Sequence, residues 1–233
     1  MLTLERQDGR KALPSCPAMF QLIVFDLDGT LIDSRRDLAN ATNALLVECG
    51  AAPLAEERVG GMVGDGAATL VRRAFDASGL AQPPDALDRF LRIYGDHLLD
   101  CTRPYPGIPE VLAALGARSR LAVLTNKPLG STRRILDGLA LTAFFPPDAV
   151  VGGDGPFARK PDPAGLLHLV AQAGATPDTT LLVGDSVIDW RTAHAAHTGV
   201  CLARYGFGFE GFPLDELGMD DSLISAPSEL IAL

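Results

Sequence analysis

Short apolar runs recur along the chain, each closed by an acid, a glycine or a polar pair. The first, Phe20 to Phe25, reads Phe-Gln-Leu-Ile-Val-Phe and ends in Asp-Leu-Asp-Gly; similar runs lie at Leu121 to Leu124, Ala149 to Val151, Leu181 to Val183 and Val200 to Ala203. Unbroken apolar runs of this length suit strands covered on both faces, as in a parallel sheet. Between them apolar residues return at helical spacing: Val111, Leu112 and Leu115; Ile135, Leu136 and Leu139; Leu166, Leu167 and Val170. Pro163 stands where a first helical position tolerates proline. Strands alternating with helices predict an α/β fold, a Rossmann-like parallel sheet with right-handed crossovers.

One segment breaks the alternation. From about Ser34 to Arg103 no buried-strand run occurs, only helical faces: Leu38, Ala41 and Leu45; Leu70, Val71, Ala74 and Phe75; Leu87, Phe90, Leu91, Tyr94 and Leu98. Gly50, Gly60-Gly61, Gly64, Gly66 and Pro83-Pro84 supply the breaks. The pattern predicts an α-helical domain over residues 34–103, inserted into a core made of residues 19–33 and 104–233. Its linkers fall near Asp33–Ser34 and Arg103–Gly107. Residues 1–18 mix charges with Gly9, Pro14 and Pro17; a disordered extension is expected there, not a signal peptide.

Composition narrows the function. At 233 residues and 47% apolar the chain can bury a sizeable core. Twenty Lys and Arg against twenty-nine Asp and Glu leave a net charge of −9, which argues against nucleic-acid or membrane-surface binding. No stretch approaches the ~20 apolar residues of a membrane span. Cys16, Cys49, Cys101 and Cys201 lie too far apart for a zinc site or disulfide framework, so reduced thiols in a cytoplasmic protein are expected.

The chemistry gathers where the apolar runs end. In an open parallel sheet, ligands bind outside the carboxyl ends of the strands. Asp26 and Asp28 follow the first run, and Gly29 permits a tight turn that lets backbone amides approach an anion. The second run ends in Leu124-Thr125-Asn126-Lys127, with a hydroxyl and N–H groups for phosphate oxygens; the fourth ends in Val183-Gly184-Asp185-Ser186, with Asp189 a turn further on. Converging carboxylates need a cation between them, and an all-oxygen set favours Mg2+. Lys160, in Arg159-Lys160-Pro161-Asp162-Pro163, supplies fixed positive charge; with Lys127 it makes two of only three lysines in the chain, the third being Lys11. His97 is expected to be a packing or surface residue, and His194 and His197 are not expected to bind metal.

These four ordered segments resemble the haloacid dehalogenase superfamily of aspartyl-phosphate hydrolases, over nearly all of Phe20 to Leu233, and the helical insertion sits where that superfamily carries its cap. The resemblance implies Asp26 as nucleophile and Asp28 as acid/base. It implies that Thr125 and Asn126, with Gly29, hold the phosphoryl group and that Lys160 neutralises it. Asp185, the Asp26 carboxylate and the Asp28 carbonyl would bind Mg2+, with Asp189 supporting them. The second acid, Asp28, separates the phosphatases from the dehalogenases of the superfamily. Within it, Val63-Gly64-Asp65-Gly66-Ala67 with Leu70-Val71 resembles the substrate-facing loop of phosphoglycolate phosphatases, and Thr125-Asn126-Lys127-Pro128, Gly152-Gly153-Asp154 and Arg159-Lys160-Pro161-Asp162-Pro163 are also similar to motifs typical of them. Arg72 and Arg73, just after that loop, are the candidate cap cations for a substrate carboxylate. The implied function is Mg2+-dependent hydrolysis of a small phosphorylated metabolite, phosphoglycolate, by a monomer or small homo-oligomer. A sugar-phosphate or other small-metabolite phosphatase, a phosphomutase, and a non-catalytic phosphate-binding regulatory module are the alternatives. Two departures stand out: Trp190 is bulkier than the family pattern, and His197 falls where a helix-ending glycine is usual, so the exit is expected to shift to Gly199.

Overall fold

A computed structural model describes residues 20–233; the expected extension over residues 1–18 lies outside the described residues. The chain runs β1 (Leu22–Phe25), β2 (Ile32–Asp33), α1 (Arg35–Glu48), α2 (Glu56–Gly60), α3 (Ala67–Ser78), α4 (Ala86–Asp96), β3 (Arg103–Pro104), α5 (Ile108–Gly116), β4 (Arg120–Leu124), α6 (Leu129–Gly138), β5 (Val150–Val151), α7 (Ala164–Gln172), β6 (Thr180–Gly184), α8 (Val187–Ala196), β7 (Gly199–Ala203) and β8 (Ser222–Ile224). Pro163 takes the N-cap of α7, one residue before the expected position.

Six strands form one parallel sheet in the order β5-β4-β1-β6-β7-β8. Central β1 pairs with β4 and β6, Leu22 lying opposite Arg120 and Thr180. The two-residue period of the strand sorts its side chains. Ile23 and Phe25 join Leu121, Val123, Leu181 and Val183 on one face, under Ile108 and Leu112 of α5 and Ile135 of α6. Leu22 and Val24 join Ala122, Leu124 and Leu182 on the other, against Leu166 and Leu169 of α7 and Ala193 of α8. Both faces are therefore dry, which is why these strands read as unbroken apolar runs. Each such Leu or Phe contributes roughly 1.5–3 kcal/mol by leaving water.

Two short pairings escaped the sequence pattern. β8 adds an edge strand of three residues, of which only Ile224 is buried. β2 and β3 pair antiparallel, Ile32 with Pro104 and Asp33 with Arg103, so the two ends of the helical segment leave the core side by side. Asp37, buried in the first turn of α1, ties them: it accepts from the N–H groups of Cys101 and Thr102 and from the Thr102 hydroxyl at 2.7–3.0 Å. Leu38 and Leu45 of α1, Phe75 of α3 and Phe90 and Tyr94 of α4 share one buried cluster with Leu27 and Leu31 of the strand-end loop.

The exit of α8 corrects the expectation at Gly199. His197 itself takes the left-handed conformation, φ 56°, with its N–H on the carbonyls of Ala193 and His194, and Gly199 already opens β7. The short run to β7 leaves no room to shift the cap. A non-glycine residue pays roughly 1–2 kcal/mol for this conformation. His197→Gly is therefore expected to stabilise the fold by roughly 1 kcal/mol, less the extra chain entropy of glycine, read as a rise in the denaturant midpoint at unchanged slope. Trp190 finds a place: its indole N–H donates to Asp221 at 2.8 Å and its ring packs edge-on to Phe212. His194 also meets Asp221, at 3.0 Å, and His97 lies at the surface beside Asp100.

Candidate active site

The strand order brings the ends of β1, β4 and β6 to one edge of the sheet. Asp26 leaves β1 with its N–H on the Val183 carbonyl at 2.8 Å, so its side chain opens over that edge. Gly29 turns the chain at φ +88°; a Cβ there would lie 1.9 Å from a carboxylate oxygen of Asp185, and one at Gly206 would lie 2.3 Å from the Asp185 Cβ. Two backbone segments thus press on Asp185, which only glycine permits. Asp185 accepts from the Gly208 N–H at 2.7 Å and the Thr30 hydroxyl at 3.2 Å. Asp189 stands in the first turn of α8, where Ser186 caps the helix: the Ser186 hydroxyl and N–H donate to it at 2.6 and 3.1 Å.

Lys160 joins these acids. Its buried ammonium lies 2.8 Å from Asp26 and 2.6 Å from Asp189. Asp26, Asp185 and Asp189 offer oxygens within 4.8 Å of one another, three carboxylates beside one lysine. Burial, with the Asp189 and Asp28 charges, raises the Asp26 carboxyl to about 6 against the pull of Lys160. Burial, with Asp189 and Asp26, lifts Asp185 well above the carboxylate range. Burial alone would depress Lys160, yet Asp189 and Asp26 outweigh it and hold the ammonium firmly protonated. A hard cation relieves the surplus negative charge, and the all-oxygen donor set fits Mg2+.

Asp28 faces elsewhere. Both its oxygens meet the buried Lys127 ammonium, at 2.9 and 2.8 Å, and the Ser34 hydroxyl donates to it at 2.5 Å. Tyr94 of α4 lies over the same ammonium, 4.7 Å from ring centroid to nitrogen. Asp26, Asp28, Thr125, Asn126 and Lys127 line a cavity of about 50 Å³ roofed by the helical segment, including Gly64, Gly66, Leu70 and Phe90. A cavity needs at least ~10–15 Å³ to hold one water, so this space admits a small molecule.

The remaining expected residues divide. Gly64 and Gly66 line the cavity, and the Asn126 side chain donates to the carbonyls of Gly64 at 2.8 Å and Lys160 at 3.0 Å. That amide is a cross-link between the helical segment and the lysine loop, which leaves the backbone of Asn126 rather than its side-chain N–H groups for an oxyanion. The two arginines lie apart from the cavity. Arg72 is exposed and pairs with Asp76 at 3.2 Å one turn on. Arg73 is held at 2.5 Å by Asp65 and at 2.9 Å by the Met62 carbonyl. Neither lines the cavity, because the α3 face that dips into it is the apolar one of Ala67 and Leu70. The sequence had counted Lys127 without giving it a role; its adjacency to Thr125-Asn126 was the available signal. Ser34 lay within the Asp-rich loop, but nothing local pointed to Tyr94 or to Gly206 and Gly208, which arrive from distant segments.

The profile of the haloacid dehalogenase-like hydrolases matches residues 23–203. A phosphoglycolate phosphatase of Rhodospirillum rubrum is 45% identical over 209 residues, 86% of this chain and 85% of that one. A phosphoglycolate phosphatase of Caulobacter vibrioides is 37% identical, covering 91% of each. Among solved structures, a predicted phosphoglycolate phosphatase from Haemophilus somnus superposes with a TM-score of 0.83 at 32% identity, covering 91% of this chain and 97% of that one. No helix among the described residues is long and apolar enough to cross a membrane.

Proposed function

Because the chain belongs to the haloacid dehalogenase-like hydrolases, we propose that it hydrolyses small phosphate monoesters, phosphoglycolate among them, through an aspartyl-phosphate. The observation that carries this reading is the buried Asp26–Lys160–Asp189 chain with Asp185 beside it, at the strand ends below a cavity of about 50 Å³.

In this reading a carboxylate oxygen of Asp26 attacks phosphorus, the new P–O bond forms and the ester P–O bond breaks. Asp28, ionised against Lys127 in the resting site, acts as the acid once it has taken up a proton with the substrate bound, and gives that proton to the departing alkoxide oxygen. Water then attacks the same phosphorus, Asp28 takes the proton, and inorganic phosphate leaves with Asp26 restored. Splitting one displacement into two lowers each barrier, while the protein's share is positioning and charge stabilisation. Lys160 offsets the repulsion between Asp26 and the incoming dianion. Asp26 and Asp185 would hold Mg2+, with the Asp28 carbonyl, while Asp189 anchors Lys160. The ion would supply Lewis-acid neutralisation of the phosphoryl oxygens. Residues 34–103 act as a cap that excludes water from the cleft, and residues 19–33 and 104–233 as the core beneath it.

The test is phosphate release by purified protein from a panel of phosphorylated metabolites, with Mg2+ and with excess chelator. Release from phosphoglycolate that stops on chelation supports the reading; no release from any monoester with Mg2+ overturns it.

Mg2+ binding itself is expected to depend on pH. Burial and neighbouring acids raise the Asp26 and Asp185 carboxyls, whereas only their ionised forms bind the ion. Affinity should fall as pH drops through about 6 and proton release should accompany binding. Calorimetry in two buffers of different ionisation enthalpy measures both, and a pH-independent affinity between pH 5 and 8 would sink the prediction.

A further inference from the structure

A monoester with a carboxylate at its far end brings two anions into the cavity. Asp26 and Lys160 handle the phosphoryl end; the far end needs a cation of its own, since an unpaired carboxylate is strongly disfavoured away from water. The arginines after the cap loop face outward. Among the described residues, Lys127 is the one cationic side chain lining the cavity, opposite apolar walls that include Leu38, Leu70 and Phe90.

Lys127 has capacity to spare. An ammonium carries three N–H donors, and the two Asp28 oxygens at 2.9 and 2.8 Å take two of them. Tyr94 stands beside it: its ring covers the ammonium and its hydroxyl lies close enough to feel that charge, yet the hydroxyl, on a residue 3% exposed, is buried with no partner in hydrogen-bond geometry. A buried hydroxyl left unpaired is costly, and it lies on a residue that lines the cavity. A carboxylate has two oxygens to give, one for the third N–H of Lys127 and one for the hydroxyl of Tyr94. We infer that Lys127 and Tyr94 form the receptor for the carboxylate of a small acidic phosphate monoester. The core supplies its charge and cap helix α4 its hydroxyl, so the receptor is complete only where cap and core meet. The inference deepens the phosphatase reading and rests on it for the phosphoryl end.

The test is calorimetric binding, with Mg2+, of 3-phosphonopropionate against propylphosphonate, two non-hydrolysable probes that differ by a carboxylate in place of a methyl. The full-length protein should prefer the first by roughly 10–100-fold, the worth of a charge-assisted hydrogen bond. Lys127→Met alone would strand Asp28, so the double variant Lys127→Met/Asp28→Asn is used, with Asp28→Asn as control. The control should keep the preference and the double variant should lose it. Tyr94→Phe, which keeps the stacked ring, should reduce it by roughly 3–10-fold. No preference in the parent, a preference that survives in the double variant, or an unchanged preference in Tyr94→Phe overturns the receptor. Failure of the underlying reading looks different: the preference stands while phosphoglycolate yields no phosphate.

Discussion

Asp26→Asn should lose turnover by roughly 10⁴-fold or more, the scale of removing a nucleophile, while the protein keeps its fold. The side chain sits at the end of the central strand, where its geometry is set by the backbone bond to Val183 and by the Lys160 ion pair. An amide fills the same space, so the sheet should be undisturbed. It cannot form the acyl phosphate, and it removes one carboxylate from a cluster already carrying too much negative charge. Melting temperature should therefore hold or rise as activity vanishes. Turnover within tenfold of the parent, in protein shown by mass spectrometry to be free of deamidation, would remove Asp26 from the nucleophile's role.

Lys160→Met should cost both activity and stability. The ammonium is 2% exposed and bridges Asp26 and Asp189, themselves 10% and 0% exposed at the side chain. Removing one partner of a buried ionic network leaves uncompensated charge and typically costs ~3–5 kcal/mol. The pH dependence has a definite sign. Without Lys160 the folded-state carboxyl of Asp26 rises further above its unfolded value, so its ionised form opposes folding. The deficit should be largest at neutral and alkaline pH and shrink as pH falls through the raised Asp26 value, where that acid takes up a proton. Mg2+ should restore part of the lost stability by occupying the same charge cluster, without restoring turnover. Denaturant unfolding of parent and variant at pH 5 and pH 8 checks this; an equal deficit at both would mean that Lys160 stabilises by packing.

Much of this protein was legible as sequence because the relevant physics is local. A strand buried on both faces must be apolar throughout, so β1, β4, β6 and β7 announced themselves, and the helical faces of α1, α3 and α4 followed from their 3.6-residue period. A carboxylate that opens over a strand end falls within a few residues of an apolar run, which drew out Asp26, Asp28 and Asp185 as candidates. Lys160 is scarce enough in composition to be noticed. β8 and the β2–β3 pair were not legible: two or three residues carry no period, and their pairing energy comes from partners far along the chain.

The pairings within the site belong to the same class. Whether Asp28 meets Lys127, whether Gly206 and Gly208 close on Asp185, and whether Arg73 reaches the cleft or turns to Asp65 all depend on how elements from distant segments stack. A side chain's type is written in the sequence, but its partner is chosen by distance and desolvation, and both exist only after the cap has packed on the core. That is why the sequence by itself determined the fold class, the strand-end acids and the reaction class they suit, whereas tertiary structure alone decided that Lys127 and Tyr94, not Arg72 and Arg73, line the cavity above them.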